Sequence, residues 1–177
     1  MAYGYWNAGK TKDTAVFDLF FRKCPFGGEF AIAAGIEECI RFINSFKFSQ
    51  ENINYLKTLI PHAPDDFWTY LSELDTSEVK AWVVQEGRAI FPKVPVMRIE
   101  GPLIICQLLE TTLLNLLNYP CLVATNAARH VLAAGKGKEI LEFGTRRAQG
   151  PDGAMSASRY SYLGGVHGTS NVKAAQA

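Results

Sequence analysis

With 177 residues, 48% of them hydrophobic and 20% charged, the chain has the size and composition of one soluble domain, or of a small domain with part of another. Its 18 basic and 17 acidic side chains leave a formal net charge of +1. That balance excludes a general electrostatic surface for nucleic acid or anionic membrane and confines any cationic function to a local cluster.

Met1 to Gly9 holds Tyr3, Tyr5 and Trp6 close together and reads as a helix end that packs and stops at Gly9. No apolar leader is read in Met1 to Lys12. Thr14 to Pro25 reads as a strand with Phe17, Leu19 and Phe21 on one face and Asp18 and Arg22 on the other. Val16 and Phe20 join the second face, which predicts that it is half covered. Phe30 to Phe46 shows helical spacing at Ile32, Ile36, Ile40 and Ile43, with Gly35 inside the predicted helix. Ser49 and Asn52 predict a capped helix through Ile60, and Pro64-Asp65-Asp66 opens another carrying Phe67, Trp68, Leu71 and Leu74.

From Glu78 the apolar period changes to two, at Val79, Ala81 and Val83, and Glu86-Gly87 turns the chain. Ala89 to Phe91 and Val94 to Glu100 extend an expected antiparallel layer packed on the preceding helices. Gly101-Pro102 reads as a break before a long buried helical region through Leu108, Leu109, Leu113, Leu116 and Leu117. Gln107, Glu110, Thr111, Thr112 and Asn115 interrupt its apolar run, so no membrane span is expected. Pro120 is predicted to interrupt it, and Glu110 within it to need a buried partner. Glu139 to Thr145 then reads as a strand and Pro151 to Tyr162 as a helix ended by Gly164-Gly165. Helix, strand, helix and a further element is the rhythm of a parallel β/α structure.

Cys24, Cys39, Cys106 and Cys121 fit neither a zinc framework nor a redox CxxC pair, and their apolar neighbours predict buried free thiols in a reducing, cytosolic compartment. His62, His130 and His167 are scattered, and no metal ligand set is read in the chain. Phosphate-loop, dinucleotide-binding and nucleophile-elbow motifs are absent from the sequence.

The stretch most suited to a ligand runs from Glu142 to Gly153, with Phe143-Gly144-Thr145-Arg146-Arg147 as its chemistry-bearing part and Gly150-Pro151-Asp152-Gly153 as the turn that follows. Arginine offers a planar fork for carboxylate or phosphate, and adjacent arginines on an extended backbone would point to opposite sides. Gly144 admits close backbone approach, Phe143 offers a face for a planar ring, and the helix opened at Pro151 favours anions. The residue chemistry leaves anion binding and a solvated arginine pair both open.

At this stretch, and through MAYGYW, FDLFFRKCPFGGEFAIAAG, VPVMRIEGPL, QLLETTLLNLLNY, LVATNAAR, EFGTRRAQGPDG, SASRYSYLGG and TSNV, the chain resembles the nicotinate phosphoribosyltransferases. The resemblance implies an α/β fold of type II: an α+β amino-terminal domain, taken as residues 1–100, and the start of an irregular β/α barrel at 101–177. It implies synthesis of nicotinate mononucleotide from nicotinate and phosphoribosyl pyrophosphate in NAD salvage, with ATP and Mg²⁺ as cofactors and a cytoplasmic homodimer as the working form. Neither nucleic acid nor membrane is an expected partner. By the same resemblance Arg146 holds nicotinate, Phe143 stands at a ring-stacking position, Gly144 and Thr145 line the pocket, and Arg147 faces phosphate or packs.

The family's phosphorylated histidine, in a G-T-x-A-H-S segment, has no counterpart among the three histidines here, so no catalytic residue is assigned. The family's partner-reaching tyrosine precedes the match. The resemblance therefore implies an amino-terminal piece, inactive alone. The rival expectation is a non-catalytic interaction or regulatory protein that dimerises with full-length subunits. A quinolinate- or nicotinamide-using relative is a third reading.

Overall fold

Alternation of Phe17 and Leu19 with Val16 and Asp18 makes a strand, β1 (Thr14–Leu19), and defines the face on which the core is built. In the computed structural model, which describes residues 1–176, β1 pairs antiparallel with β5 (Met97–Pro102). On its other side β5 pairs antiparallel with β3 (Lys80–Val83). Phe17 lies opposite Ile99 on the core face, and Asp18 opposite Arg98 on the outer face. There Arg98 Nε and Nη2 donate to the Asp18 carboxylate at 2.7 and 2.9 Å. Val16 and Phe20, expected to be half covered, are 54% and 43% exposed. Gly101 and Pro102 are not a break but the end of β5, paired with Ala15 and Thr14.

The helix expected over Phe30 to Phe46 divides into β2 (Ala31–Ile32), paired antiparallel with β4 (Ala89–Ile90), and α2 (Ile36–Ser45). Gly35 is not inside the helix; it caps it, with φ +85°. The helical spacing counted Ile32, whose backbone N–H is instead bound by Thr125 Oγ1 at 2.9 Å. Cys121 Sγ similarly receives the Ala34 N–H at 3.3 Å, so the long helix supplies side-chain partners to the end of a short strand.

That helix, α5 (Leu103–Ala134), runs 32 residues without interruption. Pro120 lies inside it and is buried. A proline there leaves the carbonyl of Leu116 without its helical donor. The position a Gly35 Cβ would occupy is 2.3 Å from that oxygen and 2.9 Å from Pro120 Cγ, so a Gly35 Cα–H points at the freed carbonyl. Packing thus accommodates the proline where sequence alone predicts a break. Glu110 is exposed, not buried, and accepts from Gln107 Nε2 at 2.6 Å.

The main core gathers β1, β2, β5, α2 and α5 around Ile36, Met97, Ile105, Leu109 and Leu117. A second, smaller core joins α1 (Ala2–Asn7), α3 (Gln50–Leu59) and α4 (Asp65–Glu73) around Ile53, Phe67, Trp68 and Leu71. The amino-terminal aromatics pack there: Tyr3 and Trp6 meet Phe67 edge-on at 5.0 and 5.5 Å between centroids. Ser49 and Asn52 form a reciprocal capping box at the start of α3.

After α5 the chain forms β6 (Leu141–Glu142), α6 (Gly150–Leu163), β7 (Gly168–Thr169) and α7 (Val172–Gln176). β6 and β7 are parallel, joined through α6, which is the β/α unit expected for this end. At Gly164, the C-cap of α6, an added Cβ would stand 2.5 Å from Ala124 O, so glycine permits the helix end to touch α5. Arg159 on α6 pairs with Glu37 and Glu38 of α2, tying the parallel unit to the amino-terminal layer.

Candidate functional site

The predicted site residues occupy the carboxyl end of β6, where β/α structures place their ligands. The strand stops at Glu142, short of the expected Thr145. Thr145, Arg146 and Arg147 form one turn of 3-10 helix, closed by the Arg147 N–H donating to Gly144 O at 2.8 Å. The two guanidinium groups are therefore carried on a turn rather than sent to opposite sides of an extended strand. Gly144, at φ −88° and ψ 0°, caps it. The turn packs on α6.

Phe143 is 64% exposed, and Gly144, Thr145, Arg146 and Arg147 are exposed as well. Neither arginine forms an ion pair with a described residue, whereas Arg41, Arg98 and Arg159 all do. Two adjacent cationic forks, each with its donors open, can receive a carboxylate or a phosphate. An exposed ring two residues before the turn offers a planar face.

What holds the turn is a residue that sequence reading did not single out. Glu142 Oε2 accepts from Ser158 Oγ on α6 at 2.8 Å and from Thr169 Oγ1 on β7 at 2.6 Å. Glu142 Oε1 accepts from the backbone N–H of Gly144. Its carbonyl also accepts from Ser170 N at 3.0 Å. Partial burial acts to raise the carboxyl pKa, but the hydrogen bonds from Thr169, Ser158 and Gly144 together outweigh it and hold the pKa below the ordinary value. The charged form is the one the site is built around. In the sequence Glu142 falls in the middle of the strand expected over Glu139 to Thr145, and its hydroxyl partners lie 16 and 27 residues away, so no local signal marked it.

An open groove of about 500 Å³ runs beside Glu142 between α5, α6 and β6, lined in part by Leu122, Asn126, His130 and Leu141. The arginines do not line it. His130 Nδ1 is 2.8 Å from Asn126 O, and His167 Nδ1 accepts the Ile140 N–H at 3.1 Å. His62 packs edge-on against Tyr3 at 5.7 Å. These contacts account for all three histidines without a shared site. Among the described residues, no three His, Cys, Asp or Glu side chains gather where they could hold a metal ion, so no Mg²⁺ ligand is assigned.

A model of the nicotinate phosphoribosyltransferase (NAPRTase) N-terminal domain family matches residues 1–118. The nicotinate phosphoribosyltransferase of Dictyostelium discoideum is 59% identical over 174 residues, which are 98% of this chain and 30% of that protein. The Homo sapiens protein of the same name is 52% identical over 177 residues, or 99% of this chain and 33% of its own length. The crystal structure of human nicotinic acid phosphoribosyltransferase superposes with a TM-score of 0.92, over 99% of this chain and 35% of that one. This chain thus spans about 30% of the length of the curated relatives it matches. Their alignments reach past residue 118 and take in the arginine turn.

Proposed function

The chain belongs to the nicotinate phosphoribosyltransferase family, and from that membership we propose that it supplies the nicotinate-recognising turn of such an enzyme. The reaction joins nicotinate to phosphoribosyl pyrophosphate and yields nicotinate mononucleotide and pyrophosphate. The observation that carries the proposal is the pair Arg146 and Arg147, unpaired and exposed at the carboxyl end of β6 among the described residues. In this reading Arg146 receives the pyridine carboxylate and Phe143 faces the ring. Gly144 and Thr145 form the floor of the pocket, and Arg147 faces phosphate or supports the turn.

ATP and Mg²⁺ belong to the proposed reaction on the strength of the resemblance. A homodimer is the proposed working form, and the cytoplasm the proposed compartment. Among the described residues no helix is long and apolar enough to cross a membrane. The residues up to 100 form the proposed amino-terminal domain and the rest the proposed start of a barrel.

The test uses a chimera in which this chain replaces the matched segment of the Dictyostelium protein, of which it spans 30%. Arg146→Ala in that chimera is expected to cost about 2–5 kcal/mol of nicotinate binding, if the arginine pairs a desolvated carboxylate. The Michaelis constant for nicotinate would then rise by about 30-fold or more. An unchanged Michaelis constant with unchanged turnover would reject the role.

A further inference from the structure

We propose that Glu142 is the positioning residue of the arginine turn, fixing Gly144–Arg147 so that Arg146 meets the substrate carboxylate. The inference rests on the reading of Arg146 given above. It adds a residue that, in that reading, acts on the substrate through the turn.

Three observations carry it. First, among the described residues two hydrogen bonds tie the turn to the scaffold, one at each end: the Gly150 N–H of α6 donates to Ala148 O at 3.1 Å, and the Gly144 N–H donates to Glu142. The bonds Arg147 N–H to Gly144 O and Ala148 N–H to Thr145 O are internal to it. Among the described residues, the bond from the Gly144 N–H to Glu142 Oε1 is the one that leaves it from Gly144–Ala148 toward the strand. Second, the other carboxylate oxygen is held from two separate elements, by Ser158 on α6 and Thr169 on β7. The position of Glu142 is therefore set by the folded β/α unit, and it passes that position to the turn.

Third, the donors are oriented. Asn171 N–H donates to Thr169 Oγ1 at 3.0 Å, and Asn171 Nδ2 to Ser158 Oγ at 3.3 Å. Each hydroxyl accepts from Asn171 and has Glu142 as its nearer acceptor. Ser158 Oγ is 2.8 Å from the carboxylate against 3.1 Å from Ala154 O, and Thr169 Oγ1 is 2.6 Å from it against 3.3 Å from Ser158 Oγ. The charged oxygen is the stronger pull on both protons. An ionised carboxylate, acceptor at both oxygens, is the side chain that satisfies three converging donors at once. The Gly144 position is matched to it, since a Cβ there would stand 3.0 Å from Glu142 Oε1.

Loosening this tie leaves the arginine present but no longer held, which weakens substrate binding before it touches the chemical step. In the chimera, Glu142→Ala is expected to raise the Michaelis constant for nicotinate tenfold or more while turnover number changes less than threefold. Glu142→Gln keeps one acceptor for Gly144 but turns an amide NH2 toward the Ser158 and Thr169 hydroxyls, and is expected to recover part of the loss. Thr169→Val, which preserves shape, is expected to raise the constant two- to fivefold and covers the case in which the alanine variant does not fold. Michaelis constants within twofold of the parent in the folded variants would overturn the inference. So would equal losses in turnover and affinity that the glutamine does not restore. Arg146→Ala, measured alongside, separates the two ideas: losses in both variants support both, a loss in Arg146→Ala alone leaves Arg146 standing and overturns Glu142, and no loss in Arg146→Ala overturns the reading beneath both.

Discussion

Glu142 is held in its charged form by the hydrogen bonds that converge on it, and this gives it a pH signature. Its pKa is lower in the folded chain than in the unfolded one, because three hydrogen bonds to the charged form outweigh the desolvation that acts to raise it. A group depressed on folding contributes stability that is present above its unfolded pKa and is lost as pH falls through the folded value. Stability of the parent chain is therefore expected to decline on acidification below about pH 4.3, the ordinary glutamate value, and part of that decline should disappear in Glu142→Gln. Denaturant midpoints for the two proteins between neutral and acid pH measure it; parallel curves would contradict the assignment. The arginine pair was legible in the sequence because residue type alone announces a cationic fork. Its geometry was not, since the 3-10 turn depends on a hydrogen bond to Glu142, which in turn depends on Ser158 and Thr169.

Elements form where local pattern and tertiary contact agree, and the departures mark where packing wins. The capping box at Ser49 and Asn52 is local chemistry and could be read directly. The unbroken course of α5 through Pro120 could not, because it requires a glycine backbone 85 residues earlier in the chain to cover the carbonyl that the proline orphans. Gly35 is doubly constrained, by its φ of +85° and by the 2.3 Å approach to Leu116 O. Gly35→Ala is expected to destabilise the chain by about 2–5 kcal/mol, combining left-handed strain with overpacking. A thermal or denaturant midpoint unchanged by this substitution would show that the contact between α2 and α5 yields easily.

At the scale of the whole chain, four buried free cysteines report on the integrity of the core. Burial pushes the Cys39 thiol up to about 12 and, against a hydrogen bond with Ala34, the Cys121 thiol up to about 11. Both are expected to resist alkylation in the native protein and to become reactive together in one cooperative unfolding transition, because both belong to the core that spans β2, α2 and α5. Labelling followed by mass analysis checks this; independent modification of Cys39 and Cys121 without unfolding would mean that the core opens locally. The order of mixed antiparallel and parallel parts was readable from the switch in apolar period at Glu78 and from the rhythm of helix, strand, helix and a further element around Gly135, although the second parallel strand, β7, was not read. What pattern could not supply was the contact between those parts, such as Arg159 reaching Glu37 and Glu38 on a helix more than a hundred residues away. If this chain carries nicotinate recognition for a family enzyme, turnover by the chimera with the Dictyostelium protein, measured beside the chain alone, will show it. With nicotinate, phosphoribosyl pyrophosphate, ATP and Mg²⁺, the chimera is expected to make nicotinate mononucleotide and the chain alone none. A folded chimera that makes no nicotinate mononucleotide, or one that uses nicotinamide equally well, would contradict it.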